Sequence, residues 1–269
     1  MKFLKKIPDW LVYGILLFVI FAGAKLNTST IYGPSPPPDL GSVLQNARPE
    51  DPTVIVEINK PMLGIGTAFS VDNNGTWLTA RHVVDSCDQV GLRLDGSNYV
   101  SVKVHYISGT SDTALLVSKW KRPAFARDFH GVRRTGEHGF FMGFAQGRPG
   151  EAAGQLLGRQ RMFVKGRYRS SETVLAWSEI GRSRNIKGTL SGISGGPVFD
   201  SNGEVIGLIT AESPRKGRIY TVAPKSLNTM LKDLTVNAKA DILTLKNYGT
   251  RADKYRRNRR IAQVVCLVE

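Results

Sequence analysis

The segment Gly192-Ile193-Ser194-Gly195-Gly196-Pro197 is the feature that most restricts what this chain can fold into. Its glycines lack a Cβ and can take backbone angles that other residues avoid, which allows a tight loop around the serine. In such a loop the N–H groups of Gly192 and Ser194 can point at one place and form an oxyanion hole. We therefore predict that Ser194 is a nucleophile, although a Gly-rich hairpin loop is the alternative for the segment alone.

A serine nucleophile needs a base, and two further motifs supply a base and an acid. His82 lies in Thr79-Ala80-Arg81-His82-Val83-Val84, and Asp112 begins Asp112-Thr113-Ala114-Leu115-Leu116. Taken alone, His82 could be a structural histidine of a barrel, and Asp112 could be an acidic residue of a turn. The chain order His82, Asp112, Ser194 is that of chymotrypsin and differs from the orders in subtilisin and the α/β-hydrolases. The three motifs together predict a catalytic triad.

At these motifs the chain resembles trypsin-like serine peptidases, and more closely the bacterial HtrA/DegP-type protease domain, over about residues 53–234. The resemblance implies hydrolysis of protein or peptide substrates without a cofactor. It also implies a substrate side-chain pocket whose walls include Gly188, Thr210, Glu212 and Arg218. Glu212 would favour a basic substrate side chain and Arg218 an acidic one, or the two would pair and leave a small apolar pocket. The alternative function is a latent or non-catalytic trypsin-like scaffold that acts as a binding or regulatory module.

Short β-rich runs predict an all-β fold of two antiparallel six-stranded barrels with a C-terminal helix. We expect the first barrel at about residues 53–120, beginning with a strand at 53–59, and the second at about residues 137–234. Leucines and a methionine at helical spacing after Pro224 predict the closing helix at 224–234. Residues 235–269 are too short for a PDZ domain, and their apolar end is expected to pack back on the domain as a strand.

Residues 1–24 combine three lysines with an almost wholly apolar run from Leu11 to Ala24. Two interpretations stay open: a signal peptide cleaved after Ala24, or an uncleaved membrane anchor over residues 7–24. Bulky Phe21 and the lack of a polar segment before the cleavage site favour the anchor. Either interpretation places the enzyme outside the cytoplasm, at the membrane or in the periplasm. Residues 25–52 are rich in proline and are expected to be a linker.

The net charge of +15 favours anionic surfaces as partners. The basic tail, residues 251–260, is the expected contact, and its scarcity of aromatic residues makes nucleic acid an unfavoured partner. No metal site is expected, because four histidines and two cysteines lack metal-ligand spacing. Cys87 and Cys266 can pair in an oxidising compartment, but two unpaired small hydrophobic residues are the favoured interpretation. The oligomeric state is not predicted.

Overall fold

The computed structural model describes residue 10, residues 13–14, residues 40–58 and residues 64–268. The chain divides into two units, residues 1–39 and residues 40–269, and the elements below lie in the second. The predicted anchor at 7–24 falls outside the described residues except for Trp10, Tyr13 and Gly14, which are helical. Within the described stretches, no helix is both long and apolar enough to span a bilayer.

Strands dominate the second unit, as the alternating and β-rich sequence runs predict. In chain order they are β1 (Thr53–Ile58), β2 (Gly64–Ser70), β3 (Thr76–Thr79), β4 (Gln89–Asp95), β5 (Asn98–Ile107), β6 (Ala114–Val117), β7 (His138–Gly143), β8 (Gly150–Gly166), β9 (Ser170–Arg182), β10 (Pro197–Phe199), β11 (Val205–Ser213), β12 (Arg218–Val222) and β13 (Ile261–Leu267). The helices are α1 (Arg81–Val84), α2 (Pro224–Leu231) and α3 (Tyr248–Arg257).

The first barrel closes in the order β13-β2-β3-β6-β5-β4. The strand predicted at residues 53–59 is not part of it, which corrects the expected start of this barrel. Its place is taken by β13, which pairs antiparallel with β2 on one side and with β4 on the other. Residues 261–266 are buried. The backbone of β13 therefore forms part of the barrel wall, and its side chains are packed inside the protein. The prediction that the apolar end of the chain packs back as a strand is confirmed.

The second barrel is built from β8, β7, β10, β11, β12 and β9, and the pairing of β9 with β8 closes it. The 17-residue β8 pairs with β7 through its first half. Its second half pairs in parallel with β1, which is therefore attached outside the ring. The predicted all-β fold of two barrels is confirmed. The predicted helix after Pro224 is confirmed as α2, with Leu227 and Leu231 buried against the domain.

The last part of the predicted linker is attached to the second barrel. The N–H groups of Gly41 and Leu44 donate to the carbonyls of Thr135 and Arg133, at 2.9 and 2.8 Å. Residues 40–52 thus belong to the folded unit, because their backbone groups find partners on its surface.

Cys87 and Cys266 form a disulfide, with a Cα–Cα distance of 5.5 Å. The favoured interpretation of two unpaired cysteines was therefore wrong. The bond joins the segment that follows α1 to β13, two regions that are 179 residues apart in the chain. Only barrel closure by β13 brings them together.

Candidate active site

His82 is held at the rim of the first barrel by α1, a single helical turn that follows β3 directly. The helix is fixed by its two buried valines, Val83 and Val84. Arg81 adds a hydrogen bond to the carbonyl of Ser108, at 3.1 Å. The His82 side chain is 21% exposed, so part of the imidazole is accessible from solvent.

Asp112 lies in the turn between β5 and β6 and is 1% exposed. Its Oδ2 lies 2.7 Å from His82 Nδ1, and its Oδ1 accepts a hydrogen bond from the His82 N–H at 2.9 Å. Burial by itself raises the pKa of Asp112. The positive charge of His82 and hydrogen bonds from His82 and Thr210 outweigh it and lower this pKa to about 2. The aspartate is therefore an ionised acceptor that selects the tautomer and ring orientation of His82.

The Thr210 hydroxyl donates to Asp112 Oδ2. Thr210 is buried, at 4% exposed. Its side chain was expected in the wall of the substrate pocket, and the structure directs that side chain to Asp112 instead. Because Thr210 is on β11 of the second barrel, this hydrogen bond joins the two barrels at the site.

The Ser194 loop packs against the first barrel through Thr67 on β2. The Thr67 N–H donates to the Ser194 carbonyl at 2.8 Å, and its hydroxyl donates to the Gly192 carbonyl at 2.9 Å. Gly195 has φ +85°, and a Cβ on it would lie 2.9 Å from the backbone N of Ala80, next to α1. The loop therefore reaches the helix that carries His82. Within the described residues, no hydrogen bond joins Ser194 Oγ to His82.

The predicted oxyanion donors are on a loop held by Gln146. The Gln146 N–H donates to the carbonyl of Ser191, and the peptide group is planar and trans, so the Gly192 N–H of the same peptide points the opposite way. Gly192 has φ +92°, and a Cβ there would lie 2.7 Å from the Phe144 carbonyl oxygen. Across the described part of the chain, neither the Gly192 N–H nor the Ser194 N–H has a hydrogen-bond acceptor. Both donors are thus free for a ligand.

The other predicted pocket residues lie around the same loop. The Glu212 carboxylate accepts hydrogen bonds from the Leu190 N–H, at 2.8 and 2.9 Å, and from the Thr189 hydroxyl. Gly188 has φ +70°, and its carbonyl accepts from Arg182 at 2.7 Å. No ion pair joins Glu212 to Arg218 among the residues that the structure describes. Glu212 is therefore satisfied by the loop rather than by Arg218.

Glu172 is a buried acid in contact with Asp112, and no sequence motif marks it as a candidate site residue. Its Oε1 accepts the Asp112 N–H at 2.7 Å, while Oε2 has no hydrogen-bond partner among the described residues. Burial, and secondly the charge of Asp112, raise the pKa of Glu172 from 4.5 to about 8. The folded protein therefore holds a neutral Glu172 at pH 7.

Replacing Glu172 with glutamine should change how stability depends on pH. Between pH 4.5 and about 8 the folded state binds one proton at Glu172 that the unfolded state has released. Wild-type stability therefore falls as pH rises through this window, by at most about 1.4 kcal/mol per pH unit from this group. Glu172→Gln removes that slope. The free energy of unfolding of the variant should therefore rise relative to that of wild type up to about pH 8, and the difference should stay constant above it. Urea unfolding from pH 5 to 9 measures this, with Glu57→Gln, an exposed position, as the control; equal slopes would contradict it.

An acidic group near the start of β11 is the only metal-type cluster among the described residues. Asp128, Asp200 and Glu204 place one carboxylate oxygen each within 4.8 Å of one another. The Arg133 guanidinium already pairs with Asp128, and with Asp200 at 3.4 Å. One guanidinium therefore offsets part of the negative charge of this cluster.

The basic tail is largely engaged in the fold. Arg256 is 7% exposed and pairs with Glu151 at 2.7 Å and with Asp253 at 2.6 Å. Arg260 stacks 3.8 Å from the Phe125 ring centroid. Arg251 and Lys254 pair with Asp241, at 3.4 and 3.6 Å. Arg257, in contrast, is exposed. Because most of the other cations of the tail have partners in the fold, few of them are free to contact another surface.

Comparisons with known proteins agree with this architecture. Residues 66–208 match the family model described as the trypsin-like peptidase domain. No curated protein sequence matches the chain at a significant level.

Similar folds are found among solved structures. The active form of the Rv3671c protease from M. tuberculosis is 17% identical, with a TM-score of 0.52 over 65% of this chain and 76% of that one. Its inactive form is 17% identical, with a TM-score of 0.50 over 64% and 84%. The HtrA-type protease AlgW, solved with a decapeptide, is 22% identical, with a TM-score of 0.49 over 62% and 50%. At these identities the likeness concerns the fold.

The family match covers 143 of 269 residues, counted from 66 to 208. It includes the segments that carry His82, Asp112 and Ser194. The chain therefore belongs to the trypsin-like peptidase family and is a serine endopeptidase.

Proposed function

We propose that this enzyme hydrolyses peptide bonds in protein or peptide substrates through Ser194, His82 and Asp112, with an acyl-enzyme intermediate. The observation that carries the proposal is the pair formed by His82 and a buried, ionised Asp112, next to a glycine loop with two free N–H donors. A histidine held in this tautomer presents Nε2 as the proton acceptor for a serine hydroxyl.

The reaction proceeds in two stages. Ser194 Oγ bonds to the substrate carbonyl carbon while its proton passes to His82 Nε2, and the Gly192 and Ser194 N–H groups stabilise the oxyanion. His82 then protonates the amine, and the C–N bond breaks to leave an ester on Ser194. A water molecule attacks that ester as His82 accepts its proton, and return of this proton to Ser194 Oγ releases the acid. Asp112 stabilises the imidazolium in both stages.

Fluorophosphonate labelling tests this assignment. The wild-type enzyme should form a covalent phosphonyl adduct, and mass spectrometry of proteolytic fragments should place it on Ser194. Ser194→Ala should stay unlabelled. Absence of labelling in a folded wild-type protein would instead favour the latent or non-catalytic scaffold.

We also propose that the enzyme acts outside the cytoplasm and is held to the cytoplasmic membrane by residues 7–24. The support is the lysine-flanked apolar run and the Cys87–Cys266 disulfide, since disulfides are rare in reducing compartments. A phosphatase fused after Pro52 should be active, and N-terminal sequencing should find Met1 or Lys2 rather than Lys25. An inactive phosphatase fusion would overturn export, and a start at Lys25 would overturn the anchor.

Contact between the basic tail and an anionic surface stays a separate proposal that depends on Arg257. Binding to vesicles that contain anionic lipid should weaken with salt and with Arg257→Glu. Binding that is unchanged by both would remove this proposal.

A further inference from the structure

The proposed triad is divided between the two barrels, so contacts that cross from one barrel to the other decide its geometry. His82 and Asp112 lie on the first barrel and Ser194 lies on the second. One such contact comes from the turn that joins β8 to β9, residues 167–169. This turn belongs to the second barrel and touches both His82 and Asp112.

Tyr168 supplies the contact to the aspartate. Its hydroxyl lies 3.0 Å from Asp112 Oδ1. An ionised carboxylate only accepts hydrogen bonds, so the tyrosine is the donor. Burial, followed by the charge of Asp112, raises the pKa of Tyr168, so the hydroxyl keeps its proton. The Arg81 guanidinium carbon lies 3.8 Å from the centroid of the Tyr168 ring, which holds that ring against α1.

Arg167 supplies the contact to the histidine. Its guanidinium donates to the His82 main-chain carbonyl at 2.6 Å. Its Nε lies 4.0 Å from the Asp85 carboxylate, just beyond α1. Two adjacent residues of one turn therefore engage the backbone of the proposed base and the side chain of the proposed acid.

We propose that Tyr168 is a positioning residue for the His82–Asp112 pair, and that Arg167 holds the main chain of His82 in place. The inference rests on the proposed function, because it gives the pair a role in proton transfer. Tyr168 acts through Asp112 and needs no contact with the substrate.

The hydrogen bonds at Asp112 explain why the Tyr168 hydroxyl matters. Oδ1 accepts from the His82 N–H and from Tyr168, while Oδ2 accepts from His82 Nδ1 and from Thr210. Two donors on each oxygen fix the carboxylate plane. Loss of Tyr168 leaves Oδ1 with one donor, so the carboxylate plane is less tightly fixed, although both oxygens still accept hydrogen bonds from His82. The negative charge of the carboxylate is also less dispersed and favours the protonated imidazole more strongly.

Other charged and titratable groups lie around Tyr168 and Asp112 and stay in place when the tyrosine hydroxyl is removed. Arg81 lies over the Tyr168 ring, and the charge of Arg167 also acts on that tyrosine. Glu172 accepts a hydrogen bond from the Asp112 main-chain N–H. Because Tyr168→Phe changes none of these groups, its effect reports the hydroxyl.

The test compares Tyr168→Phe with wild type in saturation kinetics of phosphonylation by a fluorophosphonate, in which Ser194 Oγ bonds to phosphorus and fluoride leaves. The limiting phosphonylation rate should fall about tenfold, while the concentration for half-saturation should change less than twofold. The acid-side inflection of the rate against pH should move to higher pH. The low-field proton NMR signal of the His82 Nδ1–H should also move. Tyr99→Phe, a half-exposed tyrosine on β5, is the matched control and should behave as wild type.

The outcomes separate this inference from the proposed function. If wild type is phosphonylated and Tyr168→Phe matches it in rate, inflection and proton signal, the positioning role is overturned while the triad stands. A lower rate with an unmoved inflection and an unmoved proton signal means a purely structural role and also overturns it. If wild type itself is not phosphonylated, the proposed function fails first. Arg167→Met is the second variant and should lower the phosphonylation rate, with a half-saturation concentration that changes less than twofold.

Discussion

Replacing Ser194 with alanine should lower peptide hydrolysis on the order of 10⁴- to 10⁶-fold, to the level that substrate binding and the oxyanion donors alone can support. The methyl group cannot bond to the substrate carbonyl carbon, so no acyl-enzyme forms. His82→Ala should cost a similar factor, because the serine cannot lose its proton without a base. The double variant should be no worse than either single one, since the two residues act as a unit.

A fluorescence assay with a quenched peptide substrate measures these rates, and circular dichroism confirms that each variant is folded. Ser191→Ala is the matched control, because Ser191 is an exposed serine of the same loop. It should keep activity close to wild type. Retention of more than about one hundredth of the activity by Ser194→Ala would contradict a nucleophilic role.

A chain that ends at Arg260 should fail to fold, because β13 is an interior strand of the first barrel and not an appendage. It lies between β2 and β4, and its removal would leave both strands with unpaired edges. The buried residues 261–266 would be lost from the wall, and Cys87 would lose its disulfide partner. Aggregation during size-exclusion chromatography and the absence of a cooperative thermal transition are the expected results.

The control separates loss of the strand from loss of the disulfide. Cys87→Ser with Cys266→Ser keeps β13 and should cost about 2–5 kcal/mol in the free energy of unfolding, while the protein still folds. A truncated chain that is monomeric and unfolds cooperatively would contradict the prediction, because the barrel would then fold without β13.

The positioning contacts at the site could not be read from the sequence. Thr67, Gln146, Tyr168 and Glu172 lie in segments without a recognisable motif. Tyr168 is 56 residues from Asp112 in the chain, and Thr67 is 125 residues from Gly192. Each acts through a hydrogen bond that forms only when two segments far apart in the sequence are neighbours in the fold. No spacing rule for a single chain reports such a pair.

The sequence alone determined which residues are candidates for the proposed triad. The glycines around Ser194, and the order His82, Asp112, Ser194, are local features, because backbone freedom and side-chain type belong to each residue wherever it lies. The β class and the helix after Pro224 also follow from local periodicity. Tertiary structure alone decided which strands are neighbours. An alternating apolar pattern shows that a strand has a buried face but does not name its partner, so residues 53–58 joined β8 while residues 261–267 closed the first barrel.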